Sequence, residues 1–306
     1  MTILGPVGVL HPGSMGAQVA GLLAATGTEV LWASQGRSAA SGARAAAAGL
    51  TDVGSVTGLA RRTELLLSIC PPAAAVEVAE AVAAAGFRGI YVDANAIAPA
   101  TARRVAAALP GVTVLDGGIV GPPPVEPGLT RLFLAAGDAA GGQAAADLAG
   151  AFAATALEVV PLAAPAPAAS ALKAAYAAWT KGSTALLLTV AAYARATGVD
   201  EALTAEWARS QPGLEDRLTA GAPRVAAKAW RFTGELEELA AAFAEVGLPA
   251  GAPSAAAEVY ARLAPLRHEA GTTTLEAVLD LLSEPVGSVG APPAPDSGHQ
   301  PGPTPR

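Results

Sequence analysis

Short runs rich in valine, isoleucine and leucine alternate with alanine-rich segments through the first half of the chain. Such alternation is typical of a parallel sheet whose two faces are covered by helices. The apolar runs predict seven strands, at Val7–Leu10, Glu29–Ala33, Leu65–Ile69, Ile90–Asp93, Val112–Asp116, Leu132–Ala135 and Leu157–Val160. The segments between the early strands predict helices at Ser14–Ala25, Ser38–Ala48, Ala73–Ala85 and Pro99–Ala108. We therefore expect a doubly wound α/β domain over residues 1–164.

The pattern changes after Pro161, where the short apolar runs stop. A proline-free stretch from Ala168 to Thr197 predicts one helix of roughly 45 Å, long enough to join two domains. Residues 165–283 are helical in pattern and predict an all-helical second domain. The last segment, 284–306, is rich in proline and glycine, so we expect it to be disordered.

Composition supports a globular chain of about two domains. The 306 residues are 52% hydrophobic but only 4% aromatic, and alanine supplies most of the positive mean hydropathy. The most apolar stretch, from Gly182 to Ala194, is shorter than the roughly 20 residues that a membrane-spanning helix needs. The first residues carry no basic segment ahead of their apolar run. We therefore expect no signal peptide and no membrane partner, and a cytoplasmic location.

Charge and metal-binding residue types exclude further classes. The 19 basic and 26 acidic residues give a net charge of −7, and no cluster of lysine or arginine offers a surface for nucleic acid. The single cysteine, Cys70, cannot form an internal disulfide, which fits a reducing compartment. The three histidines, His11, His268 and His299, have no metal-ligand spacing, so no metal site is expected.

The motif that carries most information is a turn between the first predicted strand and helix, with the sequence His11-Pro12-Gly13-Ser14-Met15-Gly16. In a dinucleotide-binding fold, Gly13 would let the backbone approach a pyrophosphate and Gly16 would let the helix pack closely on the strand. The helix N-terminus would attract the phosphates. His11 stands where the usual motif has its first glycine. The alternative is a structural connection that binds nothing.

The second predicted strand is followed by Ser34, Arg37 and Ser38, without an acidic residue. An acid at this point binds the ribose 2′-hydroxyl of NAD(H), whereas hydroxyls and an arginine suit the 2′-phosphate of NADP(H). The sequence therefore favours NADP(H) over NAD(H). The alternative is a helix cap beside a solvated arginine.

The next two strands end at Cys70-Pro71 and at Asn95. Ligands of open α/β sheets lie at the carboxyl ends of the strands, so we expect these residues to border the nicotinamide and its ribose. Asn95 is the better hydrogen-bonding candidate, with turn formation or helix capping as its alternative role. Cys70 is expected to be a packing residue and not a nucleophile, because no base lies near it in sequence.

On the predicted long helix, Lys173 and Tyr176 lie three residues apart, on neighbouring positions of one face. Hydride addition to a carbonyl leaves an alkoxide, and a partly desolvated lysine or tyrosine can supply the proton it needs. Lys181 is a further candidate. The alternative is that such a lysine is only a solvated side chain.

Together these motifs resemble the superfamily of 3-hydroxyacid dehydrogenases and 6-phosphogluconate dehydrogenases, including its imine reductase branch. The likeness covers about residues 3 to 283, and it is greatest to a group of NAD(P)-dependent oxidoreductases with the DUF1932 C-terminal domain. The segments that carry it are LHPGSMG, SICPP, VDANAIAP, DGGIVGPPP, ALKAAYAAWTKG and AWRFTGELEELAAAF. The resemblance implies a Rossmann-type domain followed by a helical domain that completes the active site.

The resemblance also implies residue roles. Lys173 matches the catalytic lysine of the superfamily, but the asparagine expected four residues later is Ala177, which leaves its hydrogen bonding to Tyr176. Asp116 to Pro122 matches a substrate loop usually written D-x-P-V-S-G-G. Its substrate-binding positions here include Gly117, Gly118 and Val120, and valine replaces the serine. This loop is more similar to the imine reductase version, although those enzymes generally lack the lysine.

Relatives interlock as homodimers around the long helix, which implies that Trp207, Trp230 and Arg231 line the cleft, with core packing as the alternative. The expectation is an NADPH-dependent reductase that transfers hydride to the carbonyl of a small molecule, with Lys173 as general acid. Reduction of a C=N bond and a dinucleotide sensor without turnover are the two alternatives.

Overall fold

The computed structural model describes residues 5–268 and 272–284. Its first part is an eight-stranded sheet in the order β3-β2-β1-β4-β5-β6-β7-β8. Neighbouring strands are parallel except β6 and β7, which are antiparallel. The strands are β1 (Val7–Leu10), β2 (Val30–Trp32), β3 (Thr51–Asp52), β4 (Leu65–Ser68), β5 (Ile90–Asp93), β6 (Thr113–Val120), β7 (Thr130–Ala136) and β8 (Leu157–Pro161).

Helices cover the sheet and form the rest of the described chain. They are α1 (Ser14–Ala25), α2 (Ala39–Ala47), α3 (Val56–Arg62), α4 (Ala75–Ala84), α5 (Pro99–Ala108), α6 (Ala139–Phe152), α7 (Ala168–Ala196), α8 (Asp200–Ser210), α9 (Leu214–Ala226), α10 (Ala229–Glu245), α11 (Gly251–Leu263) and α12 (Leu275–Ser283). Among the described helices, none is long and apolar enough to cross a membrane.

Both faces of the sheet are buried, as a doubly wound fold requires. Val7 and Val9 of β1 pack into one core cluster with residues of α1 and α6. Leu10 and Leu66 belong to a second cluster that includes residues of α3, α4 and α5. Successive side chains of a strand point to opposite faces, so the apolar runs supply both cores. The predicted α/β fold with a following helical region is confirmed.

The chain divides into two compact units. The first comprises the chain up to Ser183 together with Gly234–Ala255, so the boundary predicted at residue 164 lies inside it. The second comprises Thr184–Thr233 and the chain from Ala256 onward, and Phe232 and Tyr260 meet there edge to face. The tail predicted to be disordered, 284–306, lies outside the described residues except for its first residue.

Four elements differ from the sequence expectation, one of them helix α6, which was not predicted. Strand β6 continues to Val120, so Gly117, Gly118 and Val120 lie in a strand where the sequence indicated a loop, because pairing with β7 extends the ladder. Strand β3 was not expected because its two residues are too few to show a period. Helix α3 was also missed, being only seven residues long. The long helix α7 agrees with its prediction to within one residue.

Candidate active site

The glycine turn, which we define as residues 11–16, begins where β1 ends. His11 has a φ of 66°, in the left-handed region that glycine adopts without strain. Its carbonyl accepts a hydrogen bond of 2.7 Å from the backbone N–H of Gly13. A Cβ atom at Gly16 would lie 2.7 Å from the same carbonyl. Histidine therefore occupies the backbone conformation of the usual first glycine, and Gly16 allows the close packing that its position predicts.

The N-terminus of α1 is open. Gly13 is its N-cap and carries no side chain that could bond to the first-turn amides. A Cβ at Gly13 would have its nearest neighbour 4.0 Å away, and Ser14 is exposed. Pro12 is buried and Met15 packs against the core, so these two residues anchor the turn to the domain. Free amides at a helix N-terminus form an anion site, which fits the pyrophosphate of a dinucleotide.

A basic residue that sequence reasoning missed lies beside this turn. Arg44 of α2 donates from Nε to the carbonyl oxygen of Pro12 at 3.1 Å and from Nη2 to Ser41 Oγ at 3.1 Å. Its spacing from the turn in sequence gives no sign of the contact, which arises because α1 and α2 pack on the same side of the sheet. Arg44 places a guanidinium next to the candidate phosphate site.

The three residues predicted to favour the 2′-phosphate of NADP(H) over the 2′-hydroxyl of NAD(H) follow β2. Ser34 is half-buried, whereas Arg37 and Ser38 are exposed. Ser38 caps α2 by accepting a hydrogen bond from the backbone N–H of Ser41, as the alternative interpretation proposed. The side chain of Arg37 lies near His11. Burial, and then the charge of Arg37, lower the pKa of His11 to about 4, so its imidazole is neutral at pH 7.

Asn95 is buried, with 2% of its surface exposed, and it connects the ends of two strands. Its Oδ1 accepts from the backbone N–H of Cys70 at 2.6 Å, and its Nδ2 donates to Ser68 Oγ at 3.2 Å. In this conformation Asn95 positions the loop that contains Cys70 and the exposed Pro71. Burial raises the pKa of the Cys70 thiol to about 11, which agrees with a packing role.

Two buried carboxyl groups are neighbours in the sheet, because Asp93, the last residue of β5, is the register partner of Asp116, which lies within β6. Asp93 accepts from the backbone N–H of Asn95 at 2.9 Å, while its second oxygen has no hydrogen-bond partner among the described residues. Burial, with a further contribution from Asp116, raises the pKa of Asp93 to about 7. Burial also raises the pKa of Asp116.

Asp116 fixes the N-terminus of α7. Its carboxylate accepts from the backbone N–H groups of Ala169 at 2.7 Å and Ser170 at 2.9 Å, and from the Ser170 hydroxyl. A carboxylate at this end of a helix satisfies otherwise unpaired amides and interacts favourably with the helix dipole. The cap lies more than 50 residues from the helix it holds, so no local pattern indicates it.

Two glycines of β6 allow close contacts, Gly118 with α7 and Gly117 with the end of β5. A Cβ at Gly118 would lie 2.7 Å from the Ala169 carbonyl oxygen and 3.1 Å from Lys173 Cβ. A Cβ at Gly117 would lie 2.6 Å from the carbonyl oxygen of Asp93. Val120 is buried, with 7% of its surface exposed. The segment predicted to bind substrate therefore forms the surface against which Lys173 is held.

Lys173 faces a small pocket, here named the lysine pocket. It is lined by Ala96, Ile97, Ala98, Lys173, Ala174, Ala177, Lys181, Glu235, Glu238 and Leu239. Burial lowers the pKa of Lys173, and no ion pair of the described residues involves it. Lys181, by contrast, is paired with Glu235. Burial raises the pKa of Glu238.

The other predicted residues lie elsewhere. Tyr176 is 47% exposed and is not among the residues that line the lysine pocket. Trp230 belongs to the second unit and is 52% exposed. The structure thus combines Lys173 with Lys181 and two glutamates that the sequence did not single out.

The chain is similar to one protein-family model and to a group of solved structures. Residues 194–263 match the model of a domain of unknown function, DUF1932. No curated protein sequence matches the chain.

Solved structures match most of the chain. One is a conserved protein of unknown function described as similar to 3-hydroxyacid dehydrogenases, with 24% identity, a TM-score of 0.68, and 87% of this chain and 99% of that one covered. The 3-hydroxyisobutyrate dehydrogenase of Mycobacterium tuberculosis has 18% identity and a TM-score of 0.66, covering 93% and 100% of the two chains. A reductive aminase of Aspergillus terreus, in complex with NADPH and ethyl levulinate, has 20% identity and a TM-score of 0.53, covering 92% and 99%. These similarities confirm the resemblance at the level of fold: the chain has the Rossmann-type and helical architecture of the 3-hydroxyacid dehydrogenases.

Proposed function

We propose that the protein is an NAD(P)-dependent oxidoreductase that reduces a small molecule. One observation carries this proposal: the same unit contains an open helix N-terminus at the glycine turn and a desolvated lysine without an ion pair. The first feature suits a dinucleotide, and the second suits proton transfer. The dehydrogenase and aminase structures of the same fold support this interpretation.

The residues at the glycine turn fit the charged part of the cofactor. The N–H groups of Ser14, Met15 and Gly16 would donate to the pyrophosphate, with Arg44 close by. Arg37 is the candidate for the 2′-phosphate, so the favoured cofactor is NADPH. Asn95 holds the strand ends that border the nicotinamide half.

When bound, the cofactor supplies a hydride. Lys173 then delivers a proton from Nζ to the oxygen of the reduced carbonyl, and the lowered pKa makes this transfer easier. The alanines and Leu239 of the lysine pocket contribute to the desolvation of the Lys173 ammonium. Tyr176 is the proposed assistant, although the ion pair of Lys181 and Glu235 lines the lysine pocket with Lys173 and Tyr176 does not.

Reduction of a C=N bond is the second candidate. It is favoured by the absence of a hydroxyl at Val120, since the usual serine there would hold a substrate carboxylate. The reductive aminase has the same fold. An iminium substrate arrives already protonated, so the general-acid role of Lys173 would matter less in that case.

We propose that the protein is a homodimer joined along α7. Trp179, Leu186 and Tyr193 recur every seven residues on this helix and are 65–69% exposed. A heptad repeat of large apolar side chains is typical of a helix that packs on a partner. Light scattering should give twice the chain mass, and Leu186→Glu should shift the mass toward that of one chain. A native mass of one chain would contradict this proposal.

The first experiment is a fluorescence titration of the purified protein with NADPH and NADH, followed by panels of carbonyls and cyclic imines. We expect tighter binding of NADPH, and oxidation of NADPH with at least one carbonyl. The variant Arg37→Ala should weaken NADPH binding far more than NADH binding, whereas equal losses would remove Arg37 from the proposal. Binding without turnover on either panel would favour a sensor. Failure to bind either nucleotide would overturn the enzyme proposal.

A further inference from the structure

Strand β3 brings a carboxylate to the turn that follows β2. Asp52 is the last residue of β3 and the register partner of Trp32, so it lies at the carboxyl edge of the sheet. The backbone N–H of Ser34 donates to Asp52 Oδ1 at 3.2 Å, and that of Gly54 donates to the same oxygen at 2.8 Å. The turn after β2, residues 34–38, contains no acidic residue of its own.

Backbone hydrogen bonds join the turn after β2 to the turn after β3. The N–H of Gln35 donates to the carbonyl oxygen of Gly54 at 2.8 Å, and the N–H of Arg37 donates to that of Ser34 at 2.9 Å. Asp52 and Arg37 are therefore held by one hydrogen-bonded network. Hydrogen bonds from the Ser34 side chain, Gly54 and the Ser34 backbone lower the pKa of Asp52, so the group is ionised at pH 7.

We infer that Asp52 determines cofactor specificity by opposing the 2′-phosphate, so that the protein discriminates less between NADPH and NADH than Arg37 alone would allow. This inference rests on the proposed nucleotide site. A carboxylate at the end of this part of the sheet can accept a hydrogen bond from a ribose 2′-hydroxyl. The same carboxylate repels a phosphate monoester, which carries close to two negative charges. It also accepts a hydrogen bond from the backbone N–H of Ser34, one of the predicted phosphate ligands.

The test measures dissociation constants of NADPH and NADH for the native protein and for Asp52→Asn. Asparagine keeps an oxygen that can accept from Ser34 and Gly54, so the variant removes the charge and retains the turn. We expect the preference for NADPH to increase about threefold to tenfold at low ionic strength, as suits one exposed charge. The increase should shrink in 0.5 M salt if its origin is electrostatic.

The matched control is Asp138→Asn. Asp138 also accepts from a backbone amide, Gly141 N–H at 2.8 Å, but it follows β7, which runs antiparallel and ends at the opposite edge of the sheet. This control should leave the preference unchanged. Competition with 2′,5′-ADP and 5′-ADP isolates the adenosine half and should show the same change.

An unchanged ratio in Asp52→Asn, or an equal change in Asp138→Asn, would overturn the role of Asp52 and leave the proposed function intact. Absence of binding of both nucleotides to the native protein would overturn the nucleotide site and this inference together.

Discussion

The glycine turn and the lysine pocket suit their proposed roles by opposite means, the turn through exposure and the pocket through burial. The turn presents backbone amides at an open surface, with the exposed Arg37 on the turn after β2, and its geometry depends on the conformation of His11. The pocket partly desolvates the ammonium of Lys173, which has no ion pair among the described residues, whereas Lys181 in the same pocket is paired with Glu235. In the proposed function, binding would rely on shape and accessible charge, whereas reactivity would rely on burial. Variants that separate binding from chemistry test this distinction.

The largest expected effect is that of Lys173→Met. Removal of the proton donor should lower turnover on a carbonyl substrate about 100-fold to 10,000-fold, while the dissociation constant of NADPH stays nearly constant. The control is Lys228→Met, which changes an exposed lysine. Stopped-flow measurement of NADPH oxidation gives the rate, and unchanged turnover would show that Lys173 only packs.

The next effect concerns the pH dependence of stability at Asp93. Its pKa is about 7 in the folded protein and near 4 in the unfolded chain, so the folded state binds the additional proton between these values. Stability from this group therefore falls as pH rises from about 4 to 7, by at most roughly 4 kcal/mol, and changes little above pH 8.

Asp93→Asn should remove this slope. The difference in unfolding free energy between native protein and variant, measured with urea from pH 4.5 to 8.5, should change with pH. Using the difference cancels His11, whose lowered pKa has the opposite effect on stability. A difference that is constant with pH would mean that Asp93 titrates normally.

A smaller effect is expected when the cap of α7 is removed. Asp116→Ala leaves two backbone amides of the helix without their acceptor, which should lower the free energy of unfolding by roughly 2 kcal/mol. Turnover should fall as well, because Lys173 lies four residues beyond Ala169. The exposed cap Asp138 is the control, since Asp138→Asn keeps a capping acceptor and should cost little. If Asp116→Ala lowered the free energy of unfolding no more than Asp138→Asn does, Asp116 would not be the anchor of α7.

The smallest effect tests the glycine turn. At position 11 the left-handed backbone favours glycine over alanine, so His11→Gly should be more stable than His11→Ala by about 1 kcal/mol. Neither variant carries an imidazole, so the difference between them contains no contribution from histidine titration. Equal stability would indicate that the backbone relaxes at this position.

Features formed by consecutive residues were predictable from the sequence. Seven of the eight strands, the glycine turn and the long helix follow from apolar runs, from Gly13 and Gly16, and from the absence of proline. The contacts of Asp116 and Asp52 were not, since their partners lie 54 and 18 residues away. Sequence periodicity reports which face is buried, but it does not report which distant backbone groups a carboxylate will meet.

Alternate positions of strand β6 hold Asp116, which anchors α7, and Gly118, which leaves room for Lys173 on that helix. Asp116 and Gly118 share one face of the strand, and Gly117 passes the carbonyl oxygen of Asp93 on its other side. Because side chains alternate along a strand, deleting or inserting one residue here would exchange the faces. The anchor would then point away from α7 while a larger side chain met Lys173. Length in this segment is therefore constrained by parity: an insertion or deletion of an odd number of residues within β6 exchanges the two faces of the strand.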